Sequence, residues 1–174
     1  MQAIRIHNTG GPEVLKYEDT ALAEPASGEA RVKIETSGIN FIDVYQRAGM
    51  YKVPLPFTLG QEAAGIVHAV GADVAQVKVG DRVAYTSVLG SYAQFANVPA
   101  WRLVPVPTGI SLQQAAAVLL QGLTAHYLAF SSYAIQRGDT VLVHAAAGGL
   151  GLLLVQIAKL RGARVIGTVS TDVK

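Results

Sequence analysis

A run of small residues, Ala145-Ala146-Ala147-Gly148-Gly149-Leu150-Gly151, lies between two apolar segments of strand character, and it constrains the fold more than any other feature. Before it stands Thr140-Val141-Leu142-Val143-His144-Ala145, introduced by the turn Arg137-Gly138-Asp139. After it come a helical stretch to Lys159, a stop at Gly162, and Arg164-Val165-Ile166-Gly167-Thr168-Val169. The order strand, helix, strand predicts two parallel strands, both read as buried, joined by a crossover helix. Small residues at the first strand-to-helix turn have a physical use. The turn is tight, and a backbone without side-chain bulk can approach a pyrophosphate closely. The helix N-terminus behind it offers unpaired N–H groups and a partial positive charge. The spacing G-x-G-x-x-G falls on Ala146, Gly148 and Gly151, with alanine in place of the first glycine. A tight turn in some other α/β protein is the alternative for such a run.

The end of the second strand bears on which dinucleotide would fit. An acidic residue there would bind a ribose 2′-hydroxyl. This chain has Ser170 and Thr171, then Asp172, Val173 and Lys174. Two hydroxyls and an ammonium suit a 2′-phosphate, and so NADPH, while Asp172 pulls the other way. An ordinary polar loop is the alternative.

Upstream, to about Pro107, the texture is different. Ala3–His7, Ala30–Thr36, Gly65–Gly71, Val79–Tyr85 and Tyr92–Val98 read as short strands or turn-plus-strand segments with glycine and proline punctuation. Such a series predicts a small, mostly antiparallel barrel. From Ser111 the period changes. Ser111 is placed to cap a helix that carries Gln113 and Gln114 in its first turn and continues through Ala115–Leu120. Gly122 reads as an interruption, with a second helix from Thr124 to Phe130. The domain break is expected between Pro107 and Thr124, which divides the chain into 1–115 and 116–174.

Composition enters mainly by exclusion. The chain has no cysteine, so disulfides, thiolate metal sites and cysteine nucleophiles are out. Fourteen basic against 12 acidic side chains give too little charge for nucleic acid as the main partner. Met1 to Gly10 alternates without an apolar core, and the apolar stretch Leu150–Ala158 is far too short to cross a bilayer. A cytoplasmic protein is expected. His7, His68, His126 and His144 share no metal-ligand spacing and read as packed or surface residues, His144 within the buried strand.

Three stretches carry a specific likeness. They are Gly60-Gln61-Glu62-x-x-Gly65 with Gly71 beyond it, Gly38-Ile39-Asn40-Phe41-Ile42-Asp43, and Gly138-Asp139 through Ala146-Ala147-Gly148-Gly149-x-Gly151 to Gln156 and Lys159. With Gly10-Gly11-Pro12-Glu13-Val14-Leu15 at the start, the sequence resembles the zinc-free, zeta-crystallin-like quinone oxidoreductases of the medium-chain dehydrogenase/reductase superfamily over essentially its whole length. The resemblance implies an α/β plus mostly-β chain, a GroES-like β-barrel domain followed by the start of a Rossmann domain. It also implies that the chain is the first half of the enzyme, and that the full-length form is a homodimer. Where zinc enzymes of the superfamily have histidine after Gly60, this chain has Gln61, and no cysteine stands near Asn40, so no metal is expected.

The resemblance assigns Asn40, Tyr45, Tyr51 and Gln61 to catalysis. It assigns Phe41, Ile42, Asp43, Tyr45, Thr124, Tyr127, Gly148, Gly149, Leu150, Gly151, Ser170, Thr171 and Lys174 to the cofactor. For Asp43 and Glu62 a hydrogen-bonded core network is the alternative role. The implied activity is NADPH-dependent reduction of a quinone or other conjugated carbonyl. A 2-alkenal or enoyl reductase of the same superfamily is the second reading, and a non-catalytic NADPH- or RNA-binding protein the third.

Overall fold

The computed structural model describes residues 1–171, so Asp172, Val173 and Lys174 lie outside the described residues. The chain divides into two compact units, Met1–Leu119 and a second that begins at Leu120.

In chain order, the first unit holds β1 (Gln2–Ile6), β2 (Lys16–Asp19), β3 (Glu29–Ser37), the short helix α1 (Phe41–Arg47), β4 (Phe57–Thr58), β5 (Glu62–Val70), β6 (Arg82–Thr86), β7 (Phe95–Pro99) and β8 (Val104–Pro105). Strands β7-β3-β5-β6-β8 make one antiparallel sheet, and β2-β1-β4 make another. Alternation places Ala30, Val32, Val67, Val83, Tyr85 and Val98 in the core of the larger sheet, as a half-buried strand requires. A second cluster, Ile6, Val14, Phe57 and Leu59, packs beneath the smaller one.

The expected barrel does not close among the described residues; the sheets are open, linked by an isolated Ala3–Ala93 bridge. Around that bridge the Ile4 amide donates to the Tyr92 carbonyl and the Gln94 amide to the Gln2 carbonyl, and the pairing goes no further. Both edge strands of the larger sheet, β7 and β8, end in proline, which has no N–H to extend a ladder.

Helix α2 (Leu112–His126) begins where the sequence predicts. The Gln114 amide donates to Ser111 Oγ (3.1 Å), and the Ser111 amide donates to Gln114 Oε1 (2.9 Å). That reciprocal pair is a capping box. The expected break at Gly122 does not occur, because α2 runs through it. One glycine costs a helix only about 1 kcal/mol relative to alanine, too little to stop a helix this long. The expected second helix is instead a π-helical turn, Tyr127–Ser132, that continues directly from α2.

The second unit contains β9 (Thr140–Val143), α3 (Gly149–Leu160) and β10 (Arg164–Gly167). The two strands are parallel, with Thr140 opposite Arg164 and Val143 opposite Gly167. Ala129, Ile135 and Ala158 form a buried cluster in it, with Val141, Leu154, Ile157 and Val165 packed around them. The strands are not buried as expected. Leu142 is 55% and Ile166 45% exposed, because α3 covers one face of the pair and these side chains alternate to the other. His144 also departs from expectation: it lies just past β9, is exposed, and pairs through Nδ1 with Thr168 Oγ1 at 3.1 Å. Among the described residues, no helix is long and apolar enough to cross a membrane.

Candidate functional site

Two constellations stand out, one in each unit. The first lies where β3 hands over to α1 and where β5 begins. The β3–β5 ladder pairs Ser37 with Ala63, and just beyond it the Gly38 amide donates to the Glu62 carbonyl (2.9 Å). That register sets Gly38 beside the Glu62 side chain. A Cβ on Gly38 would overlap Glu62 Oε2 and approach its Cδ to 2.8 Å. Glu62 is 0% exposed, and its Oε2 accepts from Asn40 Nδ2 at 2.9 Å. The Glu62 amide donates to Ser91 Oγ (3.2 Å), and the Ser37 hydroxyl donates to the Ser91 carbonyl (2.6 Å).

Asn40 caps α1. Its backbone amide donates to Asp43 Oδ2 (2.9 Å), which also accepts from the Tyr92 hydroxyl (2.8 Å). Asp43 is buried, at 4% exposure. Burial raises the pKa of Tyr92 above the ordinary phenol range, and its donation to Asp43 and the charges of Asp43 and Glu62 push the same way. Tyr92 is therefore a standing donor, and Asp43 an acceptor held in place on two sides.

The aromatic residues of α1 make a separate surface. Tyr45 and Tyr51 meet edge to face with centroids 5.8 Å apart, and Phe41 lies 6.2 Å from Tyr45. The amides of Met50 and Tyr51 both donate to the Tyr45 carbonyl, which folds the chain back after α1 and sets Tyr51 beside Tyr45. Phe41 is 77% and Tyr51 55% exposed. An edge-to-face pair with open ring faces suits a flat conjugated molecule.

The second constellation is the turn from β9 to α3. Ala145 takes a positive φ of +50°, a left-handed conformation uncommon for alanine. The Gly148 amide donates to the Ala145 carbonyl (2.8 Å), and the Ala146 amide to the Thr168 carbonyl (2.9 Å). Gly148 caps α3, and the first bond of the helical ladder runs from the Leu152 amide to Gly148. The amides of Gly149, Leu150 and Gly151 precede that ladder, as first-turn amides do. A Cβ on Gly148 would meet only the Ala145 carbonyl, at 3.2 Å, so space lies open in front of it. A Cβ on Gly151 would overlap the Ala145 carbonyl and come within 2.7 Å of Ala146 Cα. One glycine thus leaves room for a ligand, and the other lets the loop lie on its helix.

Of the residues expected from sequence, Asn40 and Asp43 come together with Glu62 in the first unit, and Gln61 is buried next to Glu62 at the head of β5. Phe41, Tyr45 and Tyr51 form the aromatic group, and Ile42 is half-buried on α1. Gly148, Gly149, Leu150 and Gly151 form the turn of the second unit. The Thr124 hydroxyl donates to the Leu120 carbonyl within its own helix (2.7 Å), and Tyr127 is exposed. Ser170 and Thr171 are exposed beyond β10, and the expected role of Lys174 falls outside the described residues. Sequence reasoning missed Ser91 and Tyr92. Tyr92 lies 49 positions from Asp43, and no short-range pattern joins them. Among the described residues, no group of three or more His, Cys, Asp or Glu side chains could hold a metal ion.

Comparison with known proteins places these features in context. Residues 26–108 match the alcohol dehydrogenase GroES-like domain. The chain is 52% identical to a quinone oxidoreductase of Pseudomonas aeruginosa, over 95% of this chain and 51% of that protein. It is 39% identical to a 2-haloacrylate reductase of a Burkholderia species, over 100% of this chain and 54% of that protein. Its backbone superposes on the crystal structure of Escherichia coli quinone oxidoreductase complexed with NADPH with a TM-score of 0.96, at 48% identity, covering 99% of this chain and 53% of that one. The chain spans about half the length of the curated relatives it matches.

Proposed function

From a chain that belongs to the quinone oxidoreductase branch of the medium-chain dehydrogenase/reductase superfamily, we propose that the whole protein is an NADPH-dependent, zinc-free quinone reductase. The observation that carries this reading is the 52% identity to a quinone oxidoreductase across 95% of the chain.

The β9–α3 turn fits the dinucleotide. The open space in front of Gly148 and the first-turn amides of α3 would take the pyrophosphate, with Ser170, Thr171 and Lys174 proposed for the 2′-phosphate. Bound NADPH supplies the hydride. The chain's residues bind and orient. Tyr45 and Tyr51 would hold the flat acceptor, and Asn40 and Gln61 would offer hydrogen bonds at the reacting end. Phe41, Ile42, Thr124 and Tyr127 are proposed to line the cofactor path, and Asp43, buried and bonded to Asn40 and Tyr92, is proposed to belong to the hydrogen-bonded network behind it.

Zinc does not fit this donor set. The chain has no cysteine, and its residue after Gly60 is the amide Gln61. A catalytic zinc keeps three protein ligands of thiolate, imidazole or carboxylate type. Quinone reduction tolerates that loss, because the electron-poor carbonyl accepts hydride readily and the product is aromatic. We also propose a cytoplasmic location and a homodimeric whole protein.

The likeness to a 2-haloacrylate reductase favours a second reading, a 2-alkenal or enoyl reductase. Both deliver hydride to a conjugated carbonyl. Initial rates of NADPH oxidation by the whole protein with a naphthoquinone and with a 2-enal separate them. The quinone should have the higher kcat/KM. A preference for the enal of about tenfold or more would favour the second reading.

A further inference from the structure

Glu62 is a charged side chain buried at 0% exposure, beside the group proposed to face the reaction. Burial of a carboxylate costs several kcal/mol unless its oxygens are well used, so its placement calls for an account. Three local facts supply one. An ionised carboxylate only accepts hydrogen bonds, so the Asn40 atom turned toward it at 2.9 Å is the amide nitrogen. The backbone of Asn40 is fixed independently, by the bond from its amide to Asp43 Oδ2. The carboxylate's own position depends on the missing Cβ of Gly38, which would overlap Oε2. Backbone and side chain of Asn40 are thus each tied to a different buried acid, one on α1 and one on β5.

The geometry points to Glu62 as the positioning residue for Asn40. The Asn40 side chain also accepts from the Asp43 amide in the α1 capping box, and the carboxylate fixes its other end by taking one Nδ2 hydrogen. The second Nδ2 hydrogen and Oδ1 of Asn40 then keep a defined direction. Gly38 belongs to the same device, since it makes the space that the carboxylate fills. This inference rests on the reading of Asn40 as a group facing the nicotinamide, and it assigns no proton transfer to Glu62.

Three variants of the whole protein test it, each with two readouts. Glu62→Leu removes the acceptor at similar volume. Glu62→Gln keeps an acceptor oxygen. Gly38→Ala keeps the carboxylate chemically but displaces it, because the new Cβ would overlap Oε2 and come within 2.9 Å of Cδ and Cγ; Glu62→Gln, the smallest change, keeps the test decisive if the other two do not fold. The first readout is the Asn40 side-chain amide signal in a nuclear magnetic resonance spectrum of asparagine-labelled protein. It should shift and lose exchange protection in Glu62→Leu and Gly38→Ala and be largely retained in Glu62→Gln. The second is kcat with NADPH and a naphthoquinone. It should fall about tenfold in the first two variants, the scale of one lost charge-assisted hydrogen bond, with KM for NADPH nearly unchanged and with rescue by Glu62→Gln. An unchanged Asn40 signal overturns the positioning role, and so does a kcat kept within about twofold when the amide is freed. A parent protein that reduces no quinone would defeat the proposed function instead, and the spectrum would still decide whether Glu62 holds Asn40.

Discussion

Two tyrosines show how burial acts on single hydroxyls. The side chain of Tyr85 is fully buried in the core of the larger sheet, and among the described residues its hydroxyl has no hydrogen-bond partner. Tyr85→Phe deletes that oxygen and keeps the ring. Unfolding in urea should change by no more than about 1 kcal/mol, toward higher stability, because an unpaired buried polar atom is being removed. Tyr92 is the opposite case, because its hydroxyl donates to the buried Asp43 at 2.8 Å. Tyr92→Phe should cost about 1 to 2 kcal/mol at neutral pH, the range for a partly buried bond to a charged acceptor. Both phenols have raised pKa values, by burial alone for Tyr85 and by burial first and then by Asp43 and Glu62 for Tyr92. The sign follows from proton counting. The folded state keeps both protons where an unfolded tyrosine, with a pKa of about 10, loses its own. The stabilisation is therefore complete below about pH 10 and declines as pH rises from there through the folded values. A series of urea curves at rising alkaline pH should show that decline in the parent and a shallower one in each phenylalanine variant. Equal slopes in all three would mean that neither tyrosine is held protonated by the fold.

At the scale of elements, the glycines of the β9–α3 turn divide into two kinds. Gly148→Val adds bulk in front of the helix at a residue whose φ of −82° any amino acid can adopt, with one tight contact, 3.2 Å from the new Cβ to the Ala145 carbonyl, that a shift of a few tenths of an ångström relieves. The fold should persist, and NADPH binding by the whole protein should weaken about tenfold or more, read by fluorescence titration. Gly151→Ala instead drives a methyl group against the backbone of Ala145 and Ala146. It should lower the melting temperature as well as the affinity. If Gly148→Val left the dissociation constant unchanged, the phosphate assignment would fail. The cap of α2 gives a purely structural counterpart. Ser111→Ala should cost about 1 kcal/mol of stability with no effect on cofactor binding. These elements were legible in the sequence because their determinants are local. Ser111 and Gln114 sit three apart, and the β9–α3–β10 order is written in adjacent apolar and glycine-rich runs. Helix α1 was harder to see, although Asn40 followed by Asp43 has the spacing of a cap and its partner. The contacts Asn40–Glu62 and Asp43–Tyr92 span 22 and 49 positions. They depend on the register of β3 against β5 and on the course of the chain after Gly60, and neither is expressed in any local period. Sequence could therefore name Asn40 and Asp43 as candidates but could not say which atoms hold them.

Over the whole molecule, the two units differ in the core they can build, and local stability should follow. The first buries Val32, Val67, Val83, Tyr85 and Val98 around one sheet and Ile6, Phe57 and Leu59 beneath the other. The second buries Ile135 and Val143 with the alanines Ala125, Ala129 and Ala158, so fewer large side chains are buried among its described residues. A fully buried large aliphatic or aromatic side chain contributes about 1.5–3 kcal/mol, and an alanine much less, whereas ordering each backbone residue costs about 1–2 kcal/mol wherever it occurs. A two-stranded sheet is marginal without further cover, and the exposure of Leu142 and Ile166 shows that one face of β9 and β10 is only partly covered among the described residues. Hydrogen exchange measured by mass spectrometry on residues 1–174 should therefore find the amides of β9 and β10 exchanging at least about 100-fold faster than those of β3 and β5. The curated relatives are about twice as long as this chain. In a whole protein of that length, we expect added chain to cover Leu142 and Ile166, and the same β9 and β10 amides should slow by a comparable factor while those of β3 and β5 barely change. Equal protection of both units in residues 1–174 would show that the β9–α3–β10 unit is stable with one face only partly covered. Slow exchange there that appears only with added NADPH would instead mean that the cofactor, through the β9–α3 turn, completes the unit.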